Sequence, residues 1–343
     1  MSDDPGGIRD TNTGKIGVSA GTAAVLGLLR ARLQEAPTTG YFLFGEKCSN
    51  NCAFCAQASG ATTRPHHLSR VTWPQYSWER IKQPLQEALD KGVLRRVCVQ
   101  MVECAGSPAE AMAFVKCVKA MCPQAFMSVS IAPVSVARVK AYLDAGATNV
   151  GLPVDAATAG IYGRVKGGSE GIFDRSWRVI EECAAKWPGQ ISTHLIVGLG
   201  ESEEEAAAFL RKARDAGVTA GLFAFTPVKG TAMEDWQPPD ISSYRRVQLA
   251  AYYLRRGGDA AGIEFSGGRI SRIDFDRKML KEVLEGCPFQ TSGCLHCNRP
   301  YYNERPGQMM MNYPRPLHGD EAAKALCDSG LDFACAEDKS QGR

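Results

Sequence analysis

Residues 41–57 read YFLFGEKCSNNCAFCAQ. Four apolar residues ending at Gly45 have the character of a short buried strand. Directly after it come Cys48, Cys52 and Cys55, with gaps of three and two residues. Three thiolates so spaced can wrap one face of a compact cluster. They satisfy three irons of a four-iron cube and leave the fourth open to a substrate, whereas a cluster that only carries electrons takes four thiolates. The competing reading is structural zinc, which wants four closed ligands and finds only His66 and His67 nearby. Phe54 before the third cysteine, and the position right after a strand, favour iron and sulfur.

Outward from this stretch, short apolar runs alternate with amphipathic ones. Strands are predicted at 41–45, 96–102, 126–131, 149–152, 191–197, 221–225 and 262–265. Between most of them lie helical patterns such as WERIKQPLQEALDKG and VARVKAYLDAG, several closed by glycine (Gly92, Gly146, Gly217). Such alternation gives an α/β fold with right-handed crossovers, a partial or full parallel (β/α) barrel. Residues 1–16 read as a loose leader, and Ser19 as the cap of a helix running through AGTAAVLGLLRARLQEA. The predicted division is a leader and helix over 1–37, a barrel over 38–270, a helix and loop over 271–320, and a helix and tail over 321–343.

The chain has 343 residues, 44% hydrophobic and 22% charged, and is long enough for a sizeable core. Forty basic against 37 acidic residues leave a net charge of +3, which supports neither a nucleic-acid-coating nor a membrane-surface protein. The acidic, polar start is unlike a secretory signal, and no long uncharged apolar run suggests a membrane span. Thirteen cysteines, about 3.8% of the chain, fall short of a disulfide scaffold; with an odd count, reduced thiols in a cytoplasmic protein are expected, some on metal.

A second group, Cys287, Cys294 and Cys297, lies in an irregular stretch, GCPFQTSGCLHCNRPYYNERPG. An irregular loop of this length is uncommon unless something ties it down. A zinc knot completed by His296 and a second iron–sulfur cluster are both compatible with the spacing. Asn298, Arg299, Tyr302 and Arg305 could orient a substrate or fill an iron position, or serve as ordinary loop residues. Cys98, on the second barrel strand, either faces the lumen or packs as a core thiol. Met309–Met311 could cap an apolar channel, though loop packing is the simpler reading. Cys104 sits in the turn after the second strand; Cys117, Cys122, Cys183, Cys327 and Cys335 read as core or surface thiols of helices.

The three-cysteine loop and the motifs after it are similar to those of the radical S-adenosylmethionine (SAM) superfamily over residues 38–270. The resemblance implies a radical SAM barrel with a C-terminal cluster-binding loop extension, a 4Fe-4S cluster on Cys48, Cys52 and Cys55, and S-adenosyl-L-methionine on its open iron. Reductive cleavage of SAM would then release a 5′-deoxyadenosyl radical. In VECAGSP, Glu103 matches the site that holds the methionine amino group. Asp155 in GLPVDAAT matches the ribose contact, and Arg175 in FDRSW the partner of the methionine carboxylate. Ile196, Gly198, Gly200 and Glu201 in HLIVGLGE match the adenine-side motif of the fifth strand, and Val228 in FTPVKGT the sixth-strand position.

Within the superfamily, FTPVKGT, IVGLGE and the FSGGR turn with Arg269 resemble the sulfur-inserting group that includes biotin synthase. Biotin synthases carry a sacrificial cluster on three cysteines and an arginine of separate strands. Here Cys98 keeps the first position, while Ser128 or Ser130, Thr193 and Glu264 stand at the others. The nearest resemblance, carried by SAGTAAVLGLL, LSRVTWP and CNRPYYNERPG, is to the two-component lipoyl synthase type. It implies a sulfurtransferase that draws sulfur from an auxiliary iron–sulfur cluster on Cys287, Cys294 and Cys297. Its partners would be an octanoylated carrier protein domain, a second synthase subunit and a reducing ferredoxin or flavodoxin, with no nucleic acid and no membrane. Two further alternatives are biotin synthase-like chemistry on a small molecule and a radical SAM enzyme that inserts no sulfur. From another class, a zinc-binding interaction protein remains.

Overall fold

The computed structural model describes residues 15–64, 66–168, 171–304 and 307–333. The chain opens with β1 (Lys15–Val18), α1 (Ala20–Val25) and β2 (Thr39–Phe44). After the cysteine loop come a small hairpin, β3 (His67–Leu68) and β4 (Val71–Thr72), and then β5 (Gln75–Ser77). Regular alternation follows: α2 (Trp78–Asp90), β6 (Arg96–Met101), α3 (Ser107–Met121), β7 (Phe126–Ser130), α4 (Val136–Asp144) and β8 (Asn149–Gly151). It continues through α5 (Ala159–Lys166), α6 (Ile172–Lys186), β9 (Ile191–Val197), α7 (Glu203–Asp215), β10 (Thr219–Ala224) and α8 (Ile241–Arg255). A second hairpin, β11 (Ile263–Ser266) and β12 (Arg269–Ile273), then α9 (Arg277–Leu284) and α10 (Gly319–Ser329), complete the described chain.

One eight-stranded sheet runs in the order β10-β9-β8-β7-β6-β2-β1-β5. From β2 to β10 all neighbours are parallel, as helical crossovers dictate. β1 and β5 add an antiparallel flap beside β2, so the curved sheet is an open partial barrel. Its helices bury one stripe each: Ile81, Leu85 and Ala88 on α2, and Trp177, Ile180 and Ala184 on α6, recur at the helical period. Truncating one such side chain, Leu85→Ala, costs roughly 2–5 kcal/mol.

Three expectations change. Residues 262–265 form β11, which pairs antiparallel with β12 outside the barrel, so Glu264 is exposed and bridges Arg272. Four residues flanked by a Gly-Gly turn read alike in a barrel strand and in a hairpin; only the partner differs. The N-terminal helix stops at Val25, because the Leu28 and Leu29 amides both turn back to the Ala23 carbonyl. Ser19 does cap it, accepting from the Thr22 amide. Lys15 and Ile16, expected in the leader, belong to β1; residues 1–14 lie outside the described ones.

Two consecutive arginines of α8 tie down the irregular tail. Arg245, fully buried, donates to Gln248 and to the carbonyls of Met310 and Met311, and lies over the Phe289 and Tyr313 rings. Arg246 makes a two-bonded pair with Glu203 of α7 and donates to the Ser329 carbonyl of α10. Buried guanidinium groups so paired hold loop backbone that has no ladder of its own. Among the described residues, no helix is long and apolar enough to cross a membrane.

Candidate active site

The cysteine loop is pinned at several points. The Cys48 amide donates to the Gln57 carbonyl, Ser49 to Glu103 and Ala53 to Val165, at 2.7, 2.7 and 2.6 Å. Amides of Asn50 and Gln57 lie 3.4 Å from the sulfurs of Cys48 and Cys55. Burial pushes the Cys52 thiol up to about 12, with Lys166 opposing, and the Cys55 thiol up to about 11, with the Gln57 amide opposing. Such thiols stay protonated and inert until a cation replaces the proton, which suits ligands better than nucleophiles. Among the described residues, no three His, Cys, Asp or Glu side chains are placed to hold a metal ion. A polynuclear cluster takes one thiolate per iron, so its ligands need not converge on one point. Three thiols on one loop, with amide donors aimed at two sulfurs, fit such a cluster in donor chemistry.

Cys48, Phe54 and Cys55 line a cavity of about 320 Å³ inside the barrel. Asp155 also lines it. Its left-handed backbone (φ 69°) extends the β8 edge, its amide donating to the His194 carbonyl. Its carboxylate meets the Lys166 ammonium at 2.7 Å, both nearly buried. Lys166, at the end of α5, also bonds the Pro153 carbonyl. Ile196 faces the cavity with His194, which burial pushes down to about 4, Arg299 and Lys166 adding to the effect. Neutral at ordinary pH, His194 offers one donor and one acceptor rather than charge.

Other residues expected to contact SAM do not line this cavity. Glu103 is committed to Arg138 at 2.9 Å and to the Ala132 amide, an ion pair between strand end and helix start. Arg175 is exposed on α6. Gly198, Gly200 and Glu201 form a turn, the Glu201 carboxylate accepting from the Gly198 and Leu199 amides at 2.5 and 3.0 Å and Arg164 of α5 donating to the Leu199 carbonyl at 2.9 Å. Val228 is half-buried, its carbonyl accepting from Thr231. His66 pairs with Glu46 and His67 lies in β3, both outside the cavity lining.

The tail also lines this cavity. Tyr41, Cys98, Ser128 and Asn149 stand in register across β2, β6, β7 and β8. Cys294 and Cys297 reach this row: the Cys297 sulfur lies 3.3 Å from the Tyr41 hydroxyl, and the Cys294 sulfur 3.5 Å from Ser128 Oγ and from Asn149 Oδ1. Burial, reinforced by Cys297 and Cys294, pushes the Cys98 thiol up to about 12. Cys287 stays behind in a short turn (Cys287–Phe289) beside α8 and α9, outside the cavity lining, where Glu285 and Glu282 act on its thiol.

Arg299 lies in the cavity wall with its guanidinium 3.9 Å above the Phe223 ring; one η nitrogen bonds the Ser292 carbonyl, and the buried Nε has no partner. Tyr302 also lines it, its phenol pushed up to about 12 by burial. Asn298 instead clamps the tail to the Thr38 amide and Ala36 carbonyl, and the His296 ring rests against Phe126. Arg305 lies outside the described residues. Met311 packs against the main hydrophobic core and Met310 against a smaller cluster around Phe289, while Met309 is exposed. Sequence reasoning missed Tyr41, Lys166 and His194, whose places depend on register and chain return rather than on a local motif.

The fold and site thus define an α/β protein with a cysteine loop after its first parallel strand and a cavity that both this loop and the folded-back tail line. The Radical SAM superfamily model matches residues 42–213, half of the chain, and the chain belongs to that superfamily. No curated protein matches the sequence. Among solved structures, HydG, a maturase of the FeFe-hydrogenase, is similar at TM-score 0.53 and 13% identity, over 64% of this chain and 50% of that one. Methylornithine synthase (PylB) follows at 0.49 and 17%, over 64% and 62%. Coproporphyrinogen III oxidase (HemN) from Escherichia coli stands at 0.42 and 12%, over 71% and 58%. This chain thus spans less than two thirds of each, and the likeness to HydG, at 13% identity, concerns the fold.

Proposed function

We propose that the protein is a radical SAM sulfurtransferase that inserts sulfur into an unactivated C–H bond of a protein-bound octanoyl group, as one subunit of a two-component lipoyl synthase. The observation that carries this reading is the cavity itself, whose wall includes both Cys48 and Cys55 of the loop after β2 and Cys294 and Cys297 of the tail. Bound there, the clusters and SAM would supply hydrogen abstraction and a sulfide for the resulting carbon, chemistry that acid–base groups cannot perform on such a bond.

The protein's own residues prepare the space. Leu43, Leu68, Val71, Met101 and Phe223 line it with apolar surface that suits an alkyl chain and excludes water. Asp155, held by Lys166, keeps an acceptor beside the cysteine loop for hydroxyl groups of the nucleoside. Neutral His194 adds a polar contact without attracting an anion. Arg299 adds positive charge to the same cavity wall, above the Phe223 ring.

A ferredoxin or flavodoxin would deliver the electron, and an octanoylated carrier domain with a second subunit would present the substrate. The test is anaerobic incubation of reconstituted protein with SAM, reductant and an octanoyl-lysyl peptide, with and without the partner subunit, read by mass spectrometry. A sulfur-bearing peptide together with 5′-deoxyadenosine supports the reading. SAM cleavage that leaves the peptide unchanged under both conditions overturns it, leaving a radical SAM enzyme of another reaction.

A further inference from the structure

Six residues separate Cys287 from Cys294, enough chain to span roughly 20 Å, so sequence spacing does not make them neighbours. The fold parts them. Cys287 sits in the apolar cluster around Phe289, Tyr252 and Val283, on the outer side of α8. Cys294 and Cys297 pass into the barrel, where they meet a third cysteine that belongs to the sheet.

We infer that Cys98, Cys294 and Cys297, without Cys287, form a second iron–sulfur site midway along the barrel lumen. Each of the three sulfurs has a polar side chain from a parallel strand within reach: Gln100 Nε2 at 3.2 Å from Cys98, Ser128 Oγ at 3.5 Å from Cys294, and Tyr41 Oη at 3.3 Å from Cys297. Hydroxyl and amide groups around thiolate sulfurs are the surroundings that orient ligands and tune a cluster. The Tyr41 hydroxyl is fixed in turn by the Arg299 amide at 3.2 Å. Arg96 locks the approach, its Nε donating to the Leu295 carbonyl at 2.7 Å and its Nη1 to Ser128. Thr38 Oγ1 holds the His296 carbonyl at 2.7 Å. The two residues between the tail cysteines, Leu295 and His296, are therefore fastened to Arg96 at the start of β6 and to Thr38 just before β2.

Three thiolates leave one position of a four-iron cluster open, and here that position belongs to the same cavity as the radical-generating loop. The inference rests on the sulfurtransferase reading for its purpose, but its ligand set is tested separately. In a Cys48→Ala, Cys52→Ala, Cys55→Ala background, anaerobic reconstitution is expected to leave about four irons per chain, with matching sulfide and a visible charge-transfer band. Adding Cys98→Ala, Cys294→Ala or Cys297→Ala is expected to remove that iron, while adding Cys287→Ala leaves it. Thermal melting of each apo-variant, compared with its parent, separates lost ligation from lost folding. An iron-free background variant, zinc in place of iron, iron retained on loss of Cys98, or equal loss with Cys287→Ala would each overturn the assignment. Cluster present without sulfur transfer would overturn the function proposed above and leave this site standing.

Discussion

The Tyr41 hydroxyl lies 3.3 Å from the Cys297 sulfur, joining the first parallel strand to a residue 256 positions later in the chain. Tyr41 pairs in register with Cys98, so this single contact aligns tail and barrel wall around the proposed cluster. Removing the hydroxyl in Tyr41→Phe keeps the ring but loses contacts to the Cys297 sulfur and the Arg299 amide. A loss of about 1 kcal/mol in urea unfolding of the apo-protein is expected. Stability equal to the wild type would mean that the hydroxyl holds nothing in place.

Lys166 and Asp155 form a nearly buried ion pair. Lys166→Ala strands a carboxylate at a cavity wall and should cost about 3–5 kcal/mol. Asp155→Asn with Lys166→Met should recover most of that loss, because Asn tolerates the left-handed backbone and no charge is orphaned. Denaturant titration of both variants checks this; a double variant as weak as Lys166→Ala would show that the pair's value is not electrostatic.

Glu304 is buried, and burial pushes its carboxyl up from 4.5 to about 7, against the Met311 amide and Arg245. A raised acid favours the folded state at low pH, where it is protonated. That contribution is lost as pH rises from about 4.5 through about 7, by about 2–3 kcal/mol. Glu304→Gln should flatten this part of the stability–pH curve and be the more stable form at pH 8. An unchanged slope in the variant would assign the pH dependence to other groups.

Gly198 has φ 104°, and a Cβ there would stand 2.8 Å from Pro239 Cδ. Gly198→Ala should destabilise by about 1–3 kcal/mol through strain alone. Glu201→Ala should cost about 1–2 kcal/mol by freeing two amides. If the turn is structural as described, SAM affinity in the surviving folded fraction stays near wild type for Glu201→Ala. A tenfold weaker affinity would instead restore a direct cofactor role.

The six parallel strands and the loop after β2 were legible because alternating patterns and close cysteine spacing are local properties. Asp155, Ile196, Arg299 and Tyr302 were singled out and do line the cavity. Glu103 and Glu201 were also singled out, and they sit outside the cavity lining, Glu103 bonded to Arg138 and the Ala132 amide and Glu201 to the amides of its own turn; a carboxylate at a strand end reads the same in sequence whichever partner it takes. Cys287 was grouped with Cys294 and Cys297, yet it packs in the apolar cluster around Phe289 while the other two line the cavity, because closeness in sequence does not fix which way the chain turns. The threading of residues 290–303 through the lumen depends on Arg96, Thr38 and Tyr41, all distant in sequence and without periodicity. Arg245 and Arg246 carry no local sequence signal, yet they are the buried anchors that hold the irregular tail.

The central claim is that sulfur reaches the substrate from a cluster inside the radical-generating cavity. Its most direct test is reconstitution with heavy-isotope sulfide, removal of free sulfide, and a single turnover with SAM, reductant, octanoyl-lysyl peptide and the partner subunit. Heavy sulfur in the peptide, with 5′-deoxyadenosine beside it and no transfer from the Cys98→Ala variant, is the expected result. Formation of 5′-deoxyadenosine with no heavy sulfur in the peptide would contradict it.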